Sequence, residues 1–146
     1  MKRVTLAGIT KRLPIVAVML ITSFIYIWKL WNEGLANLFY SAGVLSMGQN
    51  LHAFFYNSID SVGFISIDKP PLGLWIQVLF TKVLGFSGMA LLLPQALAGI
   101  FSVYILHRMV RQRFGQTAGI TAALVLSFTP ILVAVSRNNT MDGTLA

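Results

Sequence analysis

The sequence has no cysteine, and only four of its 146 residues are acidic. Without cysteine, disulfides, cysteine-ligated zinc and cysteine nucleophiles are excluded, and the redox compartment leaves no trace. Charged residues of both signs make up 10% of the chain, whereas a soluble domain carries about 25%. Together with an apolar content of 56%, that scarcity points to an integral membrane protein. Histidine is scarce too. His52 and His107 lie far apart, and His107 abuts an arginine cluster, as an interfacial residue would. No internal repeat or low-complexity linker marks a second domain.

What charge there is is mostly positive, with a net value of +7. Nucleic acid is excluded as a partner, because the basic residues form no stripe interleaved with exposed aromatics. Lys2, Arg3, Lys11 and Arg12 precede one apolar run, and Arg108, Arg111 and Arg113 follow another. Membrane proteins anchor their cytoplasmic ends this way.

Three apolar runs read as spans. The first, Leu13 to Trp31, has about the 20 residues a bilayer needs, and Lys29 near its end can snorkel outward. A cleaved signal peptide is the competing reading, with Gly34-Leu35-Ala36 as its cleavage site. The run is long for a signal core, and Trp28 and Trp31 suit a retained aromatic belt. The second span covers about 89–110 and the third about 118–136. A further helix begins near Met141. The segment from Leu72 to Leu84 is short and interrupted by Lys82. Counting it as a span would put the arginine cluster outside; leaving it out keeps that cluster in the cytoplasm. It is therefore expected to be an amphipathic helix over about 71–85, lying on the outer face. The expected arrangement is an all-α multi-span membrane protein in the cell membrane with a cytoplasmic N-terminus. All four acids, Glu33, Asp60, Asp68 and Asp142, then fall outside, as do Lys69 and Arg137.

Residues 32–71 form an outer loop of about forty residues, longer than ordinary connections. Its aromatics, among them Phe39, Tyr40, Phe54 and Phe64, make it too apolar to stay unfolded. A second surface helix is expected over about 36–48. Within the stretch IDKPPLGLW, Pro71 suits a first helical turn and Pro70 keeps Lys69 extended. Asp68 and Lys69 are thereby fixed at a helix N-terminus, where an anion such as phosphate is favoured. The plainer alternative is a turn with a surface ion pair. Asp142, in RNNTMDGTL, is either a functional acid near membrane depth or a helix N-terminal acid. Asn138-Asn139-Thr140 is formally a glycosylation sequon.

The ordered set NEGLANLFYSA, IDKPPLGLWIQ, LLLPQALAG and SRNNTMD resembles glycosyltransferase family 39, over about residues 14–146. That group includes the protein mannosyltransferases and the aminoarabinose transferase of lipid A. The resemblance implies a GT-C type fold and transfer of a sugar from a polyprenyl-phosphate donor at the outer face. The acceptor is a lipid, a glycan or a protein. It also implies that Lys69 binds the donor phosphate and that Asp68 arranges the phosphate or a metal. Asp142 matches the acid after the third span, and Glu33 is the nearest candidate for the acid of the first loop. Relatives often carry an Asp-Glu pair close before the tyrosine, whereas here Asn32-Glu33 lies further upstream of Tyr40. Asn37 and Tyr40 then belong to the substrate side of that site, together with Arg137. A divalent metal is compatible with this chemistry, but no residue spacing is diagnostic for one. Family members are several times longer, so the chain is expected to be an N-terminal fragment or truncated product, inactive alone.

Two other function classes compete. A transporter or channel subunit would use outer-face charges, but no acid or base falls mid-span, where transport sites sit. A non-catalytic membrane assembly protein would need helix contacts, and Gly115 and Gly119 supply one GxxxG spacing.

Overall fold

The computed structural model describes residues 13–60 and 62–140. Readings placed on Lys2, Arg3, Lys11, Arg12, Met141 and Asp142 lie outside the described residues. Helix α1 covers Leu13–Ile27, and a 3-10 turn follows over Leu30–Asn32. The run Leu13–Asn32 is long and apolar enough to cross a membrane, being about 30 Å at 1.5 Å per residue. Helices α2 (Leu38–Gln49), α3 (Leu51–Tyr56) and α4 (Pro71–Leu84) come next, then α5 (Gly88–Ser127) and α6 (Pro130–Ser136). Among the described residues there is no strand, only an isolated bridge between Ser58 and Ser66. The chain is an all-α membrane protein.

Helix α5 has 40 residues and would reach about 60 Å if straight, twice a bilayer's apolar thickness. It folds back instead. Gly115 has φ 89° and ψ 176°, a conformation essentially confined to glycine. Beyond it, a Cβ on Gly119 would stand 2.8 Å from the Arg111 Cβ and 3.0 Å from the His107 carbonyl oxygen. Such proximity is possible only if the second leg runs back along the first. The GxxxG pair thus serves the hairpin itself: Gly115 is its apex, and Gly119 lets the returning leg pack closely against the outgoing one. The returning leg is interrupted at Phe128 and Thr129 and resumes at Pro130, whose ring suits the first turn of α6.

Three legs therefore pack side by side. Val18 of α1, Val103 of the outgoing leg and Ala123 of the returning leg share one buried cluster. Tyr26, Leu30, Leu92 and Ala96 form the next, with Leu132 and Val133 of α6 against them. A polar seam runs between α1 and the returning leg: the Thr22 and Ser127 hydroxyls lie 2.7 Å apart. Lipid offers no hydrophobic drive to join helices, so small residues and such hydroxyl contacts carry the packing.

A cap of α2, α3 and α4 sits at the end of the bundle where α5 starts. Asn37 and Asn50 cap α2 and α3, accepting from the backbone N–H of Phe39 and His52. Pro71 starts α4. The cap core is Tyr40, Val44, Met47, Ile67, Leu74 and Val78, closed by Leu91 of α5. Burying an aliphatic side chain of this kind contributes about 1.5–3 kcal/mol in water. Helix α3 falls inside the stretch read from sequence as loop, because its six residues are too few to show a period.

Candidate active site

The chain between α1 and α2 is held by the segment that follows α6. A helix end leaves carbonyls without intrahelical partners, and Arg137 supplies donors to the end of α1. Its Nη1 donates to the Ile25 carbonyl at 2.9 Å and to the Trp28 carbonyl at 2.8 Å. Its Nη2 donates to Glu33 Oε1 at 2.6 Å, an ion pair. The Glu33 side chain is 42% exposed, so the pair faces solvent and contributes at most about 1 kcal/mol. Its importance is positional: it ties the first loop to the end of the third leg.

Asn139 makes the tighter clamp and is fully buried. Its Oδ1 accepts from the Asn37 N–H at 2.8 Å. Its Nδ2 donates to Ser41 Oγ at 2.8 Å and to the Asn37 carbonyl at 3.1 Å. Ser41 Oγ in turn donates to the Leu35 carbonyl at 2.7 Å. This network fixes the start of α2, and with it the side chains between Glu33 and Tyr40. At the same end a Cβ on Gly88 would run into the Gly34 carbonyl, so loop and α5 meet backbone to backbone.

The Asp68-Lys69 stretch is held from another direction. Asn57 ends α3 in the left-handed conformation, φ 55°. Its Nδ2 donates to the carbonyls of Lys69 at 2.9 Å and Ile67 at 3.3 Å. The Ile67 N–H donates back to the Asn57 carbonyl at 2.8 Å. The Ile67 side chain is buried in the cap core beside Tyr40, whereas Asp68 is exposed. Asp68 and Lys69 make no side-chain hydrogen bond or ion pair among the described residues, which excludes an Asp68–Lys69 pair here. Asp60 organises the turn behind them, accepting from the N–H groups of Ile65 at 2.9 Å and Phe64 at 3.0 Å. These two bonds, Ile65 first, hold its carboxyl below the usual aspartate value.

Of the residues singled out in the sequence, Glu33 and Arg137 are thus joined directly. Asn37 is bound through its backbone and uses its side chain as a helix cap. Tyr40 has its ring in the cap core. Asp68 and Lys69 emerge from the same core at Ile67 without touching Glu33 or Arg137. Asp142 lies outside the described residues, and among them no three of His, Asp and Glu gather as metal ligands. Two positioning residues were not singled out: Asn57, and Asn139, the middle residue of the Asn138-Asn139-Thr140 sequon, which is a buried clamp.

The segment from Asp68 onward matches a known pattern. Residues 68–146, more than half of the chain, match the family described as dolichyl-phosphate-mannose-protein mannosyltransferase. The chain belongs to that family. The family stretch thus opens at Asp68 and takes in α4, both legs of α5 and the Arg137–Asn139 clamp. A protein named "Putative mannosyltransferase YycA" from Bacillus subtilis (strain 168) is 45% identical over 93% of this chain and 20% of its own length. Another from the same organism, "Putative mannosyltransferase YkcB", is 41% identical over 88% of this chain and 18% of its own length. The chain spans about a fifth of the length of these mannosyltransferase relatives. No solved structure matches it.

Proposed function

We propose that the chain carries the donor side of a membrane glycosyltransferase site that takes a sugar from a polyprenyl-phosphate carrier at the outer face of the cell membrane. In this reading the oxygen of an acceptor hydroxyl forms the new bond to the sugar C1 as the C1–O bond to the lipid phosphate breaks. The hydroxyl proton passes to a carboxylate, and the phosphate leaves with its negative charge. A cation is needed where that charge develops, and a base within hydrogen-bond reach of the acceptor. Lys69 is the cation and Asp68 orients the phosphate or an accompanying divalent metal. Glu33 and Asp142 are the candidate bases. Arg137 steadies Glu33, while Asn37 and Tyr40 set the wall of the substrate side. The sugar named by the relatives is mannose.

The observation that carries this reading is the junction of Glu33 with Arg137 at one bundle end, in a chain whose residues 68–146 belong to a mannosyltransferase family. The legs of the bundle cross the membrane in this proposal, and the cap rests on its outer surface.

Lys69→Ala in the full-length protein is the first test. The structure anchors Lys69 through its backbone carbonyl, so removing the side chain leaves the Asn57 hold intact. Transfer of labelled sugar from the lipid carrier in membranes should fall about 10²–10³-fold, with partial recovery in Lys69→Arg. Transfer within twofold of the parent would leave Lys69 a surface residue and end its assignment.

A further inference from the structure

At the opposite end of the bundle from Glu33, the outgoing leg of α5 and the start of α1 border a cleft of about 620 Å³. Its polar wall is His107, Arg108, Arg111 and Gln112, and its apolar wall is Ile15, Val16 and Tyr104. The α5 contributors recur three and four residues apart, which puts them on one helix face. Among the described residues no acidic one lines it. His107 is 3% exposed, and neither ring nitrogen has a hydrogen-bond partner among the described residues. Both nitrogens are closed off from solvent, so the ring backs the cleft. The cleft's open donors are the guanidinium groups of Arg108 and Arg111, which have no acceptor partner among the described residues.

The cleft does not end at the charges. Ile15, Val16 and Tyr104 also line a furrow of about 220 Å³ that continues along the bundle past Met19 and Leu20. Leu20 is 67% exposed, so this furrow opens on the face that meets lipid tails. A basic mouth leading into an apolar trough fits a molecule with an anionic head and a hydrocarbon tail. A free anion would use the mouth and gain nothing from the trough.

We infer that this cleft binds one anionic phospholipid, its phosphate between Arg108 and Arg111 and one acyl chain along Ile15, Val16 and Leu20. The site is separate from Glu33, Asp68 and Lys69 and serves anchoring and orientation of the bundle. It rests on the helices lying in a bilayer and is independent of the transfer reaction, so either can fail without the other. The geometry also separates Arg113 from the site: it belongs to the same basic cluster in the sequence but does not line the cleft.

The test is native mass spectrometry of the full-length protein in mild detergent, titrated with phosphatidylglycerol, phosphatidylcholine or inorganic phosphate. Phosphatidylglycerol should be retained in preference to phosphatidylcholine. Arg108→Gln and Arg111→Gln should each weaken that retention about fivefold, and Arg113→Gln should leave it within twofold. Val16→Trp, which fills the furrow, should weaken lipid retention while sparing the arginines. Equal retention of the two lipids overturns the proposal. So does a loss in Arg113→Gln as large as in Arg111→Gln, which would mean diffuse surface charge. Displacement of the lipid by inorganic phosphate at comparable concentration would show a bare anion site and overturn the lipid assignment.

Discussion

Asn139 shows how much one residue can fix. It satisfies an N–H, a carbonyl and a hydroxyl at the start of α2. Asn139→Ala strips the Asn37 N–H of its partner, while the Asn37 carbonyl still accepts from the Ser41 N–H and the Ser41 hydroxyl still donates to the Leu35 carbonyl. A donor orphaned away from water costs about 1–3 kcal/mol. Thermal unfolding in detergent should shift down by several degrees. Asn139→Asp should be equally poor, because it keeps the acceptor and loses both donors. An unchanged midpoint would mean water reaches the site. Asp60 makes a different demand. Its carboxyl is held below the usual aspartate value by the N–H groups of Ile65 and Phe64. A depressed folded value means the stabilisation is complete above the ordinary aspartate range and is lost as pH falls through the folded value. Amide resonances of Phe64 and Ile65 should titrate together, with a midpoint below that of a free aspartate, and Asp60→Asn should abolish the titration. A midpoint at the free value would show that the turn does not depend on the carboxylate. Neither Asn57 nor Asn139 was legible in the sequence as a positioning residue. An asparagine's role is set by which distant backbone it meets, and no spacing reports that.

Elements were more readable, for physical reasons that differ among them. The start of α4 follows from Pro70-Pro71, because a proline fixes φ and lacks the N–H that the first turn leaves unpaired. The apolar run of α1 could be counted directly. The hairpin within α5 was less plain. Composition separates two apolar runs around Arg108 to Arg113, but the reversal depends on one residue's backbone angles. Gly115→Val should therefore do more than an exposed substitution normally does. Any side chain at φ 89° and ψ 176° costs about 1–3 kcal/mol, and straightening the helix is the obvious relief. Val103 and Ala123 share a buried cluster across the hairpin. In a chain without native cysteine, Val103→Cys with Ala123→Cys should cross-link under mild oxidation. Adding Gly115→Val should reduce the cross-linked fraction severalfold. Undiminished cross-linking would show that packing with α1, rather than the glycine, sets the reversal.

At the scale of the whole molecule, charge is sorted to the two ends of the bundle. Arg108 and Arg111 stand beside Ile15 and Val16 at one end. Glu33 and Arg137 stand at the other, with Asp60 and Asp68 in the cap. The helices between them, Leu13–Asn32 and the legs of Gly88–Ser127, are apolar enough to cross a membrane. Moving an arginine cluster across a bilayer is disfavoured during insertion, and the proposed function rests on the topology that keeps this end in the cytoplasm. In that proposed topology the cap and the Glu33–Arg137 junction face outward, where the proposed donor is met. Two exposed positions test the assignment: Ser66 in the cap and Gln112 at the arginine end. Single cysteines there, probed with a membrane-impermeant maleimide on intact cells, should give labelling at Ser66→Cys alone. Gln112→Cys should react only after permeabilisation. Labelling of Gln112→Cys from outside would invert the molecule and place Lys69 on the cytoplasmic side. A lipid-linked donor used at the outer face would then be out of its reach, and the site assignments would fall together with the topology.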